Sequence, residues 1–292
     1  MPKCVISRRA AFSASHRYWL PELSEAENQA QFGACANFPG HGHNYVLYVS
    51  MLGELDANGM VLNLSQVKHV INREVISQLN FSFINQTWAE FDQTLPTTEN
   101  IARLIWQRLS PHLPLVNIQL FEHPELWADY KGIDMQAYLT ISTHFSAAHR
   151  LAHENMSLAE NTEIYGKCAR PNGHGHNYHL EVTIGGEIDP RTGMIADLVK
   201  FQAALDQYVL EPLDHTFLNK DIPYFFNIVP TAENIAIYIQ SILTEPIRKI
   251  GAQMYKVKLI ESPNNSCEVY GEGNLSAEQL SIQAMELVEQ MV

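Results

Sequence analysis

The chain has 292 residues, of which 46% are hydrophobic and 17% charged, and its formal net charge is -13. This profile is typical of a globular protein with two domains, and the acidic balance argues against a nucleic-acid surface. No apolar run approaches the roughly 20 residues that span a bilayer, and the N-terminus lacks the apolar core of a secretion signal. We therefore expect a cytoplasmic protein without membrane segments.

The same pattern of residues occurs twice along the chain. Equivalent residues lie 133 positions apart (149 minus 16 for the first pair), and the offset becomes 134 after one inserted residue. Two copies of this length indicate a tandem duplication, because solenoid repeats are shorter and more numerous. The equivalent residues are His16 and His149, Cys35 and Cys168, His41 and His174, and His43 and His176.

Each copy begins with two predicted strands joined by a polar, glycine-containing loop. Turn residues then predict a hairpin into a third strand, as at Asp56-Ala-Asn-Gly59. The first strands are predicted at Cys4–Ala14 and Gln136–Ala147, and the second strands start near Asn44 and Asn177.

Two predicted helices and a last strand complete each copy. Leu198, Phe201 and Leu205 recur at helical spacing, and Asp197 is placed to cap the start of that helix. The second helices are predicted from Thr97 and Thr231, and the last strands at Leu115–Phe121 and Tyr255–Ile260.

This order of elements indicates an α+β fold, with two helices on one face of an antiparallel four-stranded sheet. The periodicity is interrupted over His123–Asp134. We therefore place one domain at residues 1–128 and a second at residues 135–292. The second domain would end in an extra helix over Ser276–Val292.

The paired histidines predict a metal site in each copy. His174 and His176 are separated by one residue, so on a strand both rings point to the same face. With His149 they provide three ligands and leave an open position, which is the form of a catalytic zinc site. The equivalent ligands in the first copy are His16, His41 and His43.

A thiol lies close to each histidine pair in the sequence. Cys168 has Lys167 and Arg170 as neighbours, and positive charge favours the thiolate that acts as a base or nucleophile. The same thiolate could instead be a fourth metal ligand. Both readings stay open from the residues alone.

An acid–base pair distinguishes the two copies. Asp214 and His215 are adjacent and suited to proton transfer, although an isolated pair of this kind is more often a surface feature. The first copy has Asn80 and Phe81 at these places, so the copies are not chemically equivalent. Glu261, which follows the last strand, could accept paired N–H donors from a heterocycle or simply be solvated.

Together these residues resemble the 6-pyruvoyl-tetrahydropterin synthase family, which also includes the bacterial 6-carboxytetrahydropterin synthases of the deazaguanine (queuosine) route. The most specific parts are Cys168–Tyr178 and Pro230–Asn234. The resemblance implies two tandem tunnelling-fold (T-fold) domains that bind zinc through the histidines. It implies the following roles: catalysis by Cys168, Asp214 and His215, and pterin binding by Glu261 and Thr231.

The resemblance also implies a reaction. The substrate would be 7,8-dihydroneopterin triphosphate, which loses triphosphate to give 6-pyruvoyl-tetrahydropterin or 6-carboxytetrahydropterin. Five residues separate Cys168 from His174, a spacing that favours the pyruvoyl product. The alternative is a non-catalytic pterin- or metal-binding protein of the same fold. The basic residues available for the triphosphate are Lys167, Arg170, Lys200 and Lys220.

The first copy departs from the family pattern at Asn63, Asn80 and Phe81. We therefore expect a structural or ligand-binding first domain and a catalytic second domain. Family barrels use three subunits, which implies a homotrimer of two-domain chains. In such a trimer Asp214 and His215 would meet Cys168 of a neighbouring chain.

Overall fold

The computed structural model describes residues 3–271, which form two compact units. The first unit contains the chain up to Ile141 together with Gly185–Gln202 and Ile250–Ala252. By sequence, Gly185–Gln202 belongs to the second copy, but its contacts place it in the first unit. The second unit contains Ser142–Ile184, Ala203–Lys249 and the chain from Gln253 onward.

The first unit is built on an antiparallel sheet in the order β5-β4-β2-β1, with a short strand β3 parallel to β1. Its core side chains alternate along β2, where Tyr45, Leu47 and Val49 are fully buried. The strands are β1 (Lys3–His16), β2 (His41–Glu54), β3 (Ser82–Phe83), β4 (Leu115–His123) and β5 (Leu126–Tyr130).

The second unit repeats this arrangement. Its strands lie in the order β10-β9-β7-β6, and the short β8 runs parallel to β6, with Ala147 beside Thr216. The predicted α+β class is confirmed, as are the first, second and last predicted strands of each copy. The strands are β6 (Gln136–His149), β7 (His174–Glu187), β8 (Thr216–Phe217), β9 (Gln253–Ser262) and β10 (Asn265–Tyr270).

Within residues 3–271, each copy has three α-helices of eight residues or more, whereas the sequence predicted two helices. The long helices α3 and α6 pack on β4 and β5 and on β9 and β10, respectively. The helices α2 and α5 each continue through a π-helical turn, at Asn72–Ile76 and Asp206–Leu210. The helices are α1 (Glu25–Phe32), α2 (Leu64–Ile71), α3 (Thr98–Leu109), α4 (Leu158–Tyr165), α5 (Leu198–Leu205) and α6 (Ala232–Lys249).

The helices α1 and α4 were missed because they are short and only weakly amphipathic. Each carries a capping box, formed by Ser24 with Glu27 and by Ser157 with Glu160. This spacing of a serine and a glutamate was a readable signal in the sequence. The predicted caps at Thr97 and Asp197 are confirmed by bonds from the Asn100 and Lys200 amides.

The predicted third strand before the helices is wrong. The chain enters α2 and α5 soon after the turns at Asp56–Gly59 and Asp189–Gly193. The fourth strand instead comes from a terminal hairpin, so that β5 occupies the predicted interruption at His123–Asp134. The predicted helix over Ser276–Val292 lies outside the described residues. Within residues 3–271, no helix is long and apolar enough to cross a membrane.

Candidate metal centre and its surroundings

Each unit brings three histidine rings together where two neighbouring strands meet. His149 ends β6, while His174 and His176 are the first and third residues of β7. The Nε2 atoms of His149 and His174 are 3.1 Å apart. In the first unit, His16 pairs with His41 in the β1–β2 register, and their Nε2 atoms are also 3.1 Å apart.

Burial favours the neutral, metal-binding form of the imidazole in five of these histidines, namely His16, His41, His43, His149 and His174. Burial lowers the pKa of His149 to about 4, and burial together with His176 lowers the pKa of His174. The Nδ1–H of His149 donates to the carbonyl oxygen of Pro230 (2.8 Å), which leaves Nε2 with a free lone pair. Burial also lowers the pKa values of the first-unit rings, His16, His41 and His43.

Three ring nitrogens of the two clusters have no hydrogen-bond partner. Among the residues the structure describes, His176 Nε2, His43 Nε2 and His41 Nδ1 are buried without a hydrogen bond. An unsatisfied buried polar atom costs about 1–3 kcal/mol. The ligand atoms of each cluster all lie within 4.8 Å of one another. The residues present therefore fit a metal ion. Cys168 is not part of the second cluster.

Glu261 and Thr231 border the second cluster. Glu261 Oε1 lies 3.8 Å from His149 Nε2 and 3.7 Å from His176 Nε2. Its side chain is 17% exposed, so it remains open to a ligand. Thr231 follows the carbonyl of Pro230 that accepts from His149, and its Oγ1 accepts from the Asn234 amide (3.3 Å). Both residues therefore adjoin the metal cluster.

Cys168 is held in the turn that precedes β7. The turn spans Gly166–Ala169, and the Leu151 amide donates to the Cys168 carbonyl (3.0 Å). The thiol is half-buried. Burial raises the pKa of Tyr178, and the charges of Glu261 and Cys168 contribute to the same shift. Cys168 therefore lies in the electrostatic neighbourhood of the cluster.

Asp214 and His215 form a preorganised pair at the surface. The Nδ1–H of His215 donates to Asp214 Oδ2 (2.7 Å), while the Ser146 amide donates to Oδ1 (2.8 Å). These bonds hold the pKa of Asp214 below its usual range. The His215 side chain is 82% exposed. Within residues 3–271, no hydrogen bond or ion pair joins this pair to Cys168.

The second unit contains a polar cavity of about 410 Å³, whose lining includes the acidic Glu154 as well as basic residues. Arg150, His153 and Lys220 line it, and the Lys220 ammonium lies 4.7 Å from the Phe217 ring. The first copy has Leu20 and Gln86 where the second has His153 and Lys220. Of the other predicted basic residues, Lys200 is paired with Asp197 (3.1 Å).

The thiol of the first unit, Cys35, lies near the carboxylate of Glu122. Burial and the nearby Glu122 raise the pKa of Cys35 to about 11, so this thiol stays protonated at neutral pH. Cys35 is half-buried and packs against an apolar cluster. The buried members of this cluster are Tyr18, Leu20, Phe32, Ala36, Leu95 and Met194.

Sequence reasoning missed Glu99, a carboxyl group only 3% exposed. Burial raises its pKa to about 7, and its Oε1 accepts from the Ile195 amide (3.2 Å). Thr97 Oγ1 also donates to the Gly193 carbonyl. These contacts stay within the first unit, since that unit includes Gly185–Gln202. No local pattern could predict partners that lie 96 residues apart.

Comparison with known proteins identifies relatives of this chain. A family model described as 6-pyruvoyl tetrahydropterin synthase matches residues 5–133 and 138–272. Human 6-pyruvoyl tetrahydrobiopterin synthase is 44% identical over 141 residues, which are 48% of this chain and 96% of the human protein. A putative 6-carboxy-5,6,7,8-tetrahydropterin synthase of Archaeoglobus fulgidus is 30% identical over 137 residues, 47% of this chain and 98% of that protein.

A solved structure shows the same half-chain coverage. The Caenorhabditis elegans 6-pyruvoyl tetrahydropterin synthase is 40% identical and covers 48% of this chain and 98% of its own, with a TM-score of 0.44. Each of these relatives matches about half of the chain, as expected where two copies follow one another.

Proposed function

This chain belongs to the 6-pyruvoyl tetrahydropterin synthase family, and from that membership we propose a zinc-dependent lyase whose second unit is catalytic. The substrate is 7,8-dihydroneopterin triphosphate, which loses triphosphate to form 6-pyruvoyl-tetrahydropterin. In the alternative outcome it also takes up water and loses its two terminal side-chain carbons as acetaldehyde, which gives 6-carboxytetrahydropterin. The observation that supports this most directly is the open cluster of His149, His174 and His176. Three imidazoles with an uncommitted coordination position are the arrangement of catalytic zinc.

The second unit supplies the groups that such a reaction requires. When bound, zinc polarises the side-chain oxygens of the substrate and eases loss of a proton from the adjacent carbon. The Cys168 thiolate removes that proton. The Nε2 atom of His215 exchanges protons at a second position, because Asp214 holds Nδ1–H. Glu261 and Thr231 bind the pterin ring, with the carboxylate accepting its N–H donors.

The triphosphate needs local positive charge on a chain whose net charge is -13. We place it in the cavity lined by Arg150, His153 and Lys220. Charge-assisted bonds from arginine and lysine suit phosphate oxygens. The uncharged Leu20 and Gln86 in the first copy support this assignment.

We further propose that the active protein is a homotrimer. The exposed His215 has no bond to Cys168 within the described chain. In the trimer, Asp214 and His215 of one chain complete the site that contains Cys168 of a neighbouring chain. A trimeric solution mass supports this arrangement, and a stable, fully active monomer contradicts it.

The activity is tested by incubating metal-loaded protein with 7,8-dihydroneopterin triphosphate. Wild type and Cys35→Ala should release triphosphate, whereas Cys168→Ala should not. The mass of the pterin product separates the pyruvoyl from the carboxy reaction. If metal-loaded wild type releases no triphosphate but still binds the pterin, the protein is a non-catalytic binder of the same fold.

A further inference from the structure

We propose that the first unit holds a closed, four-ligand metal site in which Glu122 joins His16, His41 and His43. The second unit keeps an open, three-histidine site. This inference rests on the metal binding proposed above and is independent of the pterin reaction.

The shortest distance between the carboxylate and a histidine ring occurs in the first unit. Glu122 Oε1 is 3.3 Å from His43 Nε2 and 4.0 Å from His16 Nε2. Ligands about 2.0–2.1 Å from a tetrahedral zinc lie roughly 3.3 Å apart. The equivalent distances from Glu261 Oε1 are 3.7 Å to His176 Nε2 and 3.8 Å to His149 Nε2. Only the contact with the second histidine of the pair is therefore shorter in the first unit. The candidate ligand set accordingly includes Glu122 but not Glu261.

Two hydroxyl groups orient the Glu122 carboxylate. Thr98 Oγ1 donates to Oε2 (2.5 Å), and the Tyr18 hydroxyl donates to the same oxygen (3.4 Å). The other oxygen, Oε1, is therefore turned toward the imidazoles. Hydrogen bonds of this kind fix carboxylate ligands and raise metal affinity.

The second copy lacks both orienting groups. The residue equivalent to Tyr18 is Leu151 (18 plus 133), and the residue equivalent to Thr98 is Ala232 (98 plus 134). Glu261 is correspondingly less constrained, with 17% of its side chain exposed against 3% for Glu122. The differences at these two positions thus explain why Glu122 is directed at the histidines while Glu261 remains available to a ligand.

A closed site is structural, because four protein ligands leave no position for a substrate oxygen. It would link β1 through His16, β2 through the paired histidines, and β4 through Glu122. Metal binding here would brace three neighbouring strands of the sheet.

Cobalt substitution tests the coordination of each site separately. In His149→Ala protein, Co²⁺ reports the first unit, and in His16→Ala protein it reports the second. Azide should leave the visible spectrum of the first unit unchanged and shift that of the second. If azide shifts the cobalt spectrum of the first unit, the closed site is rejected and the proposed enzyme function is unaffected. If neither unit binds metal, both the closed site and the zinc-dependent enzyme are rejected. This comparison needs no change at Glu122.

Affinity measurements by chelator competition test the ligand directly. Glu122→Gln in His149→Ala protein should weaken first-unit metal binding at least about 100-fold, and Thr98→Val about 10- to 100-fold. Glu122→Gln should also make any bound cobalt sensitive to azide. The matched change Glu261→Gln in His16→Ala protein should leave second-unit affinity unchanged. Equal affinity of folded Glu122→Gln and its parent, checked by circular dichroism, contradicts the proposal.

Discussion

His215 donates from Nδ1 to Asp214 at 2.7 Å, although 82% of its side chain is exposed. Its backbone has a φ of 58°, and Phe81 at the equivalent place has a φ of 60°. Their amides bond the carbonyls of Ser146 and Ser13, both at 2.6 Å. The two copies therefore have the same backbone conformation at this position, but one carries an imidazole and the other a phenyl ring.

Exchanging the side chains of His215 and Phe81 should show whether turnover depends on the imidazole or only on the backbone that the two copies share. His215→Phe should lower turnover by about 100- to 10,000-fold, the contribution of a general acid–base group. The swap is tolerated structurally because Phe81 already occupies this left-handed backbone. The control, Phe81→His, should retain wild-type turnover and fold. Steady-state release of triphosphate measures both, and an active His215→Phe enzyme would remove His215 from the mechanism.

Metal content should respond to each cluster independently. Wild type should bind two metal ions per chain. His149→Ala removes a ligand of the second cluster and His16→Ala removes one of the first, so each variant should bind one ion. Elemental analysis after gel filtration gives the count, and the double variant should bind none. Loss of both ions from either single variant would show that the sites are coupled.

Acidification should destabilise the metal-free protein. The pKa of His149 is 6.5 when exposed and about 4 when folded, so the unfolded chain binds more protons between these values. The contribution of His149 to the free energy of unfolding is fully present above pH 6.5. It is lost as the pH falls toward 4, by up to about 3 kcal/mol. Thermal unfolding at several pH values, with and without chelator, measures this effect. With metal bound, the loss should begin at lower pH, because protons must displace the ion.

Glu99 should have the opposite pH dependence. Burial raises its pKa to about 7, so the folded state binds more protons between about pH 4.5 and 7, and stability falls as the pH rises through this range. Glu99→Gln removes the buried charge and keeps an oxygen for the Ile195 amide. We expect this variant to be more stable than wild type at pH 8 by about 1–3 kcal/mol and unchanged at pH 5. Lower stability at pH 8 would contradict this account.

The duplication, the α+β class, the caps at Thr97 and Asp197 and both histidine triads could be read from the sequence. These features are local: a glycine between two histidines, a capping residue before a periodic run, or a fixed offset between copies. The difference between Asp214-His215 and Asn80-Phe81 was equally visible, because it needs only an internal comparison.

Long-range contacts were decided by the tertiary structure alone. The commitment of Glu122 to the first cluster depends on Tyr18 and Thr98, which lie 104 and 24 residues away. The pKa values of Glu99 and Cys35 follow from burial, which no spacing encodes. The sequence therefore determined which chemical groups each copy has, because composition and local order are written along the chain. Packing determined which of those groups are charged, buried and within reach of a metal, because desolvation and hydrogen bonding depend on neighbours far apart in sequence.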